Sequence, residues 1–137
     1  MEPRHIVIDD LETIEIKNSK GEVTGEFLWN PTDFDIIKRY DKVREYFENM
    51  KTDGNDADED AAMKISDDIK ENFDYLLNSK ASETLFKNCN PLTPRGNGEL
   101  YAEYVLNIIV KFIEKEMDTR LKKAKTRADK YTKKYHK

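Results

Sequence analysis

At 137 residues, with 38% charged and 37% apolar side chains, the chain has room for one domain whose core needs no disulfide or metal staple, and much of its surface has to be solvated. The formal charge of −4 is unevenly held: residues 118–137 carry nine Lys or Arg against Asp118 and Asp129, a net +7 that leaves −11 on the first 117, so an acidic body bears a basic tail. The single cysteine, Cys89, excludes an intrachain disulfide. MEPRHIVIDDLE lacks the apolar run of a signal peptide and no window approaches the roughly 20 apolar residues of a membrane span, so a cytoplasmic protein with no membrane partner is expected.

His5-Ile6-Val7-Ile8 is compatible with a short strand. Thr13 to Lys17 alternates, with Ile14 and Ile16 on one side and Glu15 on the other, and Glu22 to Trp29 alternates less cleanly through Val23, Phe27 and Trp29. Asn18-Ser19-Lys20-Gly21 between them predicts a β-hairpin over 12–29, with Gly21 at a positive φ. Two strands alone are marginal in water. The hairpin therefore has to lay Ile14, Ile16, Phe27 and Trp29 against helices, or pair its edge with another chain.

A first helix over about 31–51 is expected, with Asn30 as N-cap, Pro31 in the first helical position, and Asp33 and Asp35 near the positive end of the dipole. Its stripe reads Phe34, Ile37, Tyr40, Val43, Phe47 and Met50, with Ile36 and Tyr46 beside it. Thr52 to Asp60 is an acidic loop. A second helix over about 58–78 carries Ala62, Ile65, Ile69, Phe73, Leu76 and Leu77, and a short one over 82–88, capped by Ser82, tucks in Leu85 and Phe86. Asn90 to Gly98 holds two prolines and two glycines and is a loop.

The densest apolar segment is Gly98 to Met117, a helix over about 99–117 in which Tyr101, Val105, Ile108, Ile109, Phe112, Ile113 and Met117 share a face. Continued to Tyr135 it would be roughly 55 Å long, against a radius of gyration of about 14 Å for a domain of this size. The expected organisation is a compact domain over 1–117 and a basic helical extension over 118–137. The fold class is mainly α (α+β): an N-terminal hairpin packed on about three main helices and one short helix, with a long basic C-terminal helix.

The residues carry little chemistry. His5 and His136 sit near opposite termini without a Cys/His cluster, and Cys89 has no adjacent base. Asp56, Asp58, Asp60 and Asp67 imitate a calcium loop, but Ala61 stands where its sharp turn needs glycine. Arg95-Gly96-Asn97-Gly98 has neither a GxGxxG nor a GK[ST] pattern, and Pro91-Leu92-Thr93-Pro94 is a bare PxxP. No catalytic residue, metal or cofactor is expected, and no enzyme. The remaining signal is the tail. Met117, Leu121, Ala124, Ala128, Tyr131 and Tyr135 recur at steps of four and three, a coiled-coil repeat that Ile113 extends backwards. Leu121, Ala124, Ala128, Tyr131 and Tyr135 are the candidate partner-binding residues, with Lys123 and Arg127 selecting acidic partners. Basic residues interleaved with Tyr131 and Tyr135 also suit phosphate contact and base stacking, which makes nucleic acid the alternative partner. The acidic body opposes it within a Debye length.

FLWNPTDFDIIKRYDKV (Phe27 to Val43), FDYLLNSKASETLFKN (Phe73 to Asn88) and GNGELYAEYVLNIIVKFIEKEM (Gly96 to Met117) together resemble small tail proteins of long-tailed bacteriophages and prophages, in the tail assembly chaperone group. The shared arrangement is a strand pair, an Asn-Pro helix start, a Leu-Leu-Asn helix end, a short Leu-Phe helix, a loop, and a final amphipathic helix with a charged tail. It covers about three quarters of the chain. The resemblance implies a non-enzymatic protein of the host bacterial cytoplasm that coats the tape measure protein and recruits tail tube subunits during morphogenesis; a homo-oligomer, joined through the hairpin edge or the tail, is expected beside it. The resemblance assigns no role to the acidic stretch Asp53 to Asp60.

Overall fold

The computed structural model describes residues 1–50 and 59–135, with side chains as far as Ala128. It has a two-stranded antiparallel hairpin, β1 (Glu12–Lys17) and β2 (Val23–Trp29), followed by α1 (Asp35–Asn49), α2 (Glu59–Leu77), α3 (Ser82–Leu85) and α4 (Tyr101–Tyr135). The mainly helical α+β class with an N-terminal hairpin and a long last helix is thus observed. The stretch 51–58, which holds most of the expected acidic loop with Asp56 and Asp58, lies outside the described residues, as does His136.

The hairpin forms where its turn chemistry is. Asn18 Oδ1 accepts the N–H groups of Lys20 and Glu22 at 2.9 and 3.0 Å, and Gly21 takes φ 81°, a left-handed value that glycine adopts without strain. In the resulting register Ile14 faces Phe27 and Glu12 faces Trp29. A bulge between Ile16 and Lys17 leaves Thr24 over, and its hydroxyl donates to the Ile16 carbonyl at 3.2 Å. Phe27 and Trp29 are buried and Ile14 and Ile16 pack beside them, so the hairpin is laid on helices as its marginal stability requires. The Ser79 hydroxyl donates to the Leu28 carbonyl and that of Thr84 to Glu26 at 3.2 Å, fastening β2 to the α2–α3 corner. There Gly25 is needed for space: a Cβ would lie 2.6 Å from Thr84 Cγ2.

Several local expectations are corrected. Residues 5–8 form no strand and are exposed. Asn30 does not cap α1; its side chain accepts the Thr32 N–H at 3.3 Å and closes a turn around buried Pro31, while Asp33 Oδ1 accepts the Asp35 N–H at 3.0 Å. The helix therefore begins at Asp35, not near 31. Its buried stripe is set by Ile36 and Val43, with Tyr40, Tyr46, Phe47 and Met50 packed alongside, and it leaves Phe34 and Ile37 at 65% and 59% exposed. Ser82 is not a cap either. It is the first residue of α3, and the Asp74 carboxylate of α2 accepts both its N–H at 2.7 Å and its hydroxyl at 2.9 Å. That short helix ends at Leu85 rather than 88, with Phe86 turned into the core.

The core is strongly aromatic. Phe47, Phe73, Phe86 and Tyr101 meet edge to face in sequence at 4.9–6.3 Å, linking α1, α2, the α3 end and α4. Ile69, Leu76, Leu77, Ala102, Val105, Ile109 and Ile113 fill around them. Asn78, in the left-handed region at φ 49°, ends α2 where the chain turns.

Candidate protein-interaction site

The loop 90–100 pins the start of α4. The Tyr101 and Ala102 N–H groups donate to the Thr93 and Pro91 carbonyls at 2.8 and 2.9 Å, so two donors that a helix start leaves unpaired are satisfied by the loop. Glu99 and Leu100 stay outside the helix: Glu99 pairs with Arg95 at 3.1 Å, and Leu100 bridges to Pro94. The Arg95 guanidinium also lies 3.6 Å over the Tyr104 ring. Burial holds the Tyr101 phenol above its ordinary range, with nearby Cys89 and Tyr104 acting the same way and Arg95 opposing.

From that fixed start an apolar stripe runs along the helix as far as Leu121. Val105, Ile109 and Ile113 are buried, Met117 is half-buried, and Leu121 is 49% exposed. Beyond it Lys122 to Ala128 are exposed, and α4 continues as helix to Tyr135, about 52 Å for its 35 residues. Leu121, Ala124 and Ala128 fall on one helix face, flanked by Lys125 and Arg127, while Lys123 lies on the side of the helix turned away from it. The side chains of Tyr131 and Tyr135 lie outside the described residues. Body contacts continue past Met117 to Arg120, whose guanidinium pairs with Glu12 at 2.9 Å and donates to the Thr32 hydroxyl at 3.0 Å. The Glu12 hydrogen bond, chiefly, raises its pKa, while burial acts in the opposite direction.

A second surface was not anticipated. Between the hairpin and α4 lies an apolar groove of about 360 Å³. Its walls include Ile14 to Lys17 of β1, Phe27 and Trp29 of β2, and Ile108 and Phe112 of α4, the last two still partly exposed at their helix face. Trp29 stacks on Phe112 at 5.7 Å, and its buried indole N–H has no acceptor among the described residues. The signal was present in the sequence. Tyr101, Val105, Ile108, Ile109, Phe112 and Ile113 make an apolar arc wider than one packed neighbour covers.

Among the described residues no group of three or more His, Cys, Asp or Glu side chains is placed to hold a metal, and no helix is long and apolar enough to cross a membrane. Cys89 is free and half-buried, its Sγ 3.7 Å from the Asn90 carbonyl oxygen, and His5 is exposed. What the surface offers is apolar area, in the groove and along the outer face of α4. Set against family models, curated proteins and solved structures, the chain matches none of them.

Proposed function

We propose that the chain is a non-enzymatic, protein-binding assembly factor that docks amphipathic helices on the outer half of α4, in the manner of the phage tail assembly chaperones its sequence resembles. One observation carries the reading: the stripe that builds the core at Val105, Ile109 and Ile113 continues unbroken through Met117 and Leu121 into solvent. A helix that ended its work in the core would turn polar there. Instead it offers a narrow seam at Leu121, Ala124 and Ala128, rimmed by cations, which fits the apolar face and acidic flank of a partner helix. The tape measure protein is the partner of that chemistry, with tail tube protein and further copies of the chain joining it, in the cytoplasm of the host bacterium.

The test is co-expression of the full chain with the tape measure protein of the same genome and co-purification in moderate salt, beside the Leu121→Asp/Ala128→Asp variant. These two side chains are exposed, so the variant keeps its fold. Binding that persists in salt and is lost in the variant is expected. Exposed Lys122, Lys123, Lys125 and Arg127 are compatible with nucleic acid instead. Retention of nucleic acid that falls steeply with salt, without tape measure binding, would replace the proposal by that reading.

A further inference from the structure

Ile6, Val7 and Ile8 are between 84% and 90% exposed, although three consecutive β-branched residues strongly favour a strand. They lead through Asp9-Asp10-Leu11, where Asp9 Oδ1 accepts the Leu11 N–H at 3.2 Å, directly into β1. That strand is paired on one edge only. The Thr24 hydroxyl on the Ile16 carbonyl shows that the even-numbered residues of β1 turn their backbone groups toward β2. The N–H and C=O groups of Thr13, Glu15 and Lys17 therefore face the open edge. The groove runs along it, since its lining takes four consecutive residues of β1 but only the inward pair, Phe27 and Trp29, of β2.

We propose that this groove receives residues 4–9 of a second copy of the chain, added as a strand parallel to β1. Laid parallel, Arg4-His5-Ile6-Val7-Ile8-Asp9 falls beside Glu12-Thr13-Ile14-Glu15-Ile16-Lys17. Ile6 and Ile8 then stand beside Ile14 and Ile16, on the face toward Ile108 and Phe112. Opposite charges meet at both ends, Asp9 with Lys17, and Arg4 with Glu12, whose carboxylate Arg120 also holds at 2.9 Å. The antiparallel alternative, which the three-residue link of the same chain would impose, sets Arg4 beside Ile16 and Ile8 beside Glu12, so that a charge meets apolar surface at each end. A parallel pair within one chain needs a crossover of about a dozen residues. The matching alignment is thus available only between copies. Strand addition satisfies the open backbone groups while the isoleucines fill the groove. This gives self-association a definite place, and it is independent of what the outer half of α4 binds.

Sedimentation equilibrium of the full chain over micromolar concentrations is the first measurement. Wild type is expected to associate, and Ile6→Asp/Ile8→Asp to be monomeric with an unchanged circular dichroism spectrum, because these exposed side chains do not support the fold of a single copy. Cysteine pairing then fixes the geometry in a Cys89→Ser background. Mixing a Val7→Cys chain with a Glu15→Cys chain and oxidising is expected to yield the mixed covalent dimer. A monomeric wild type, or association that survives the double aspartate variant, overturns the proposal. So does an internal disulfide in a single Val7→Cys/Thr13→Cys chain, which would place the segment on its own β1. Tape measure co-purification by the same aspartate variant reports separately on the α4 seam.

Discussion

Trp29→Phe tests the account of the groove floor. Trp29 is 2% exposed, stacked on Phe112 and tilted against Phe27 at 5.9 Å, with its indole N–H buried and unpartnered. Phenylalanine keeps most of that contact. Two ring carbons are lost, worth roughly 1.6 kcal/mol at about 0.8 kcal/mol for each buried carbon group. The stranded donor goes too, and its removal returns about 1–3 kcal/mol. The net change is expected within about 1.5 kcal/mol of zero, whereas Trp29→Ala should cost about 3–5 kcal/mol. Urea unfolding has to be followed by circular dichroism, because Trp29 is the only tryptophan, and an unchanged slope with a nearly unchanged midpoint is the expected result. A loss above about 3 kcal/mol for the phenylalanine variant would mean that the indole N–H has an acceptor after all, and the reasoning would fail.

Two further outcomes follow from the geometry. Asp74→Ala strands the buried Ser82 hydroxyl and N–H and should cost about 1–3 kcal/mol; the effect should shrink in a Ser82→Ala background, and a loss in thermal unfolding that is the same in both backgrounds would dissociate the two groups. Burial first, then Asp68, raises Tyr46, and burial first raises Tyr101. Above about pH 10 the unfolded chain therefore binds fewer protons than the folded one, so this stabilisation is complete below the ordinary tyrosine range and is lost as pH rises through the raised values. Tyr46→Phe/Tyr101→Phe should flatten that alkaline decline in urea midpoints. A decline as steep as in wild type would assign it to other groups.

The parts of the fold that were legible in the sequence are those whose causes are local. Asn18 to Gly21 carry their own turn geometry, and the Ile69-Phe73-Leu76-Leu77 spacing finds its face without help from elsewhere. The errors arose where a residue type suited two local structures. Asn30 and Ser82 have the chemistry of caps, yet the first closes a turn and the second answers an aspartate eight residues earlier on another helix. The burial of Ile36 rather than Phe34 or Ile37 is set by that delayed helix start. The groove was hidden for a different reason: its walls come from the N-terminal hairpin and the last helix, far apart in the sequence, and only their docking leaves Ile108 and Phe112 uncovered beside a bare strand edge. The seam at Leu121, Ala124 and Ala128 was legible as a repeat, and its solvent exposure depends on where the body ends.

Arg120 has a mechanical consequence. One guanidinium grips Glu12, where the leading segment meets the sheet, and Thr32, at the turn before α1, just ahead of the exposed stretch Lys122 to Ala128 of α4. Glu116 lies 3.5 Å away on the preceding helical turn and stiffens the same grip. The segment before β1 and the exposed stretch of α4 therefore share one ion pair. Loss of the Arg120 side chain would loosen both at once, while the first turns of α4 stay seated in the core through Ala102, Val105, Ile109 and Ile113.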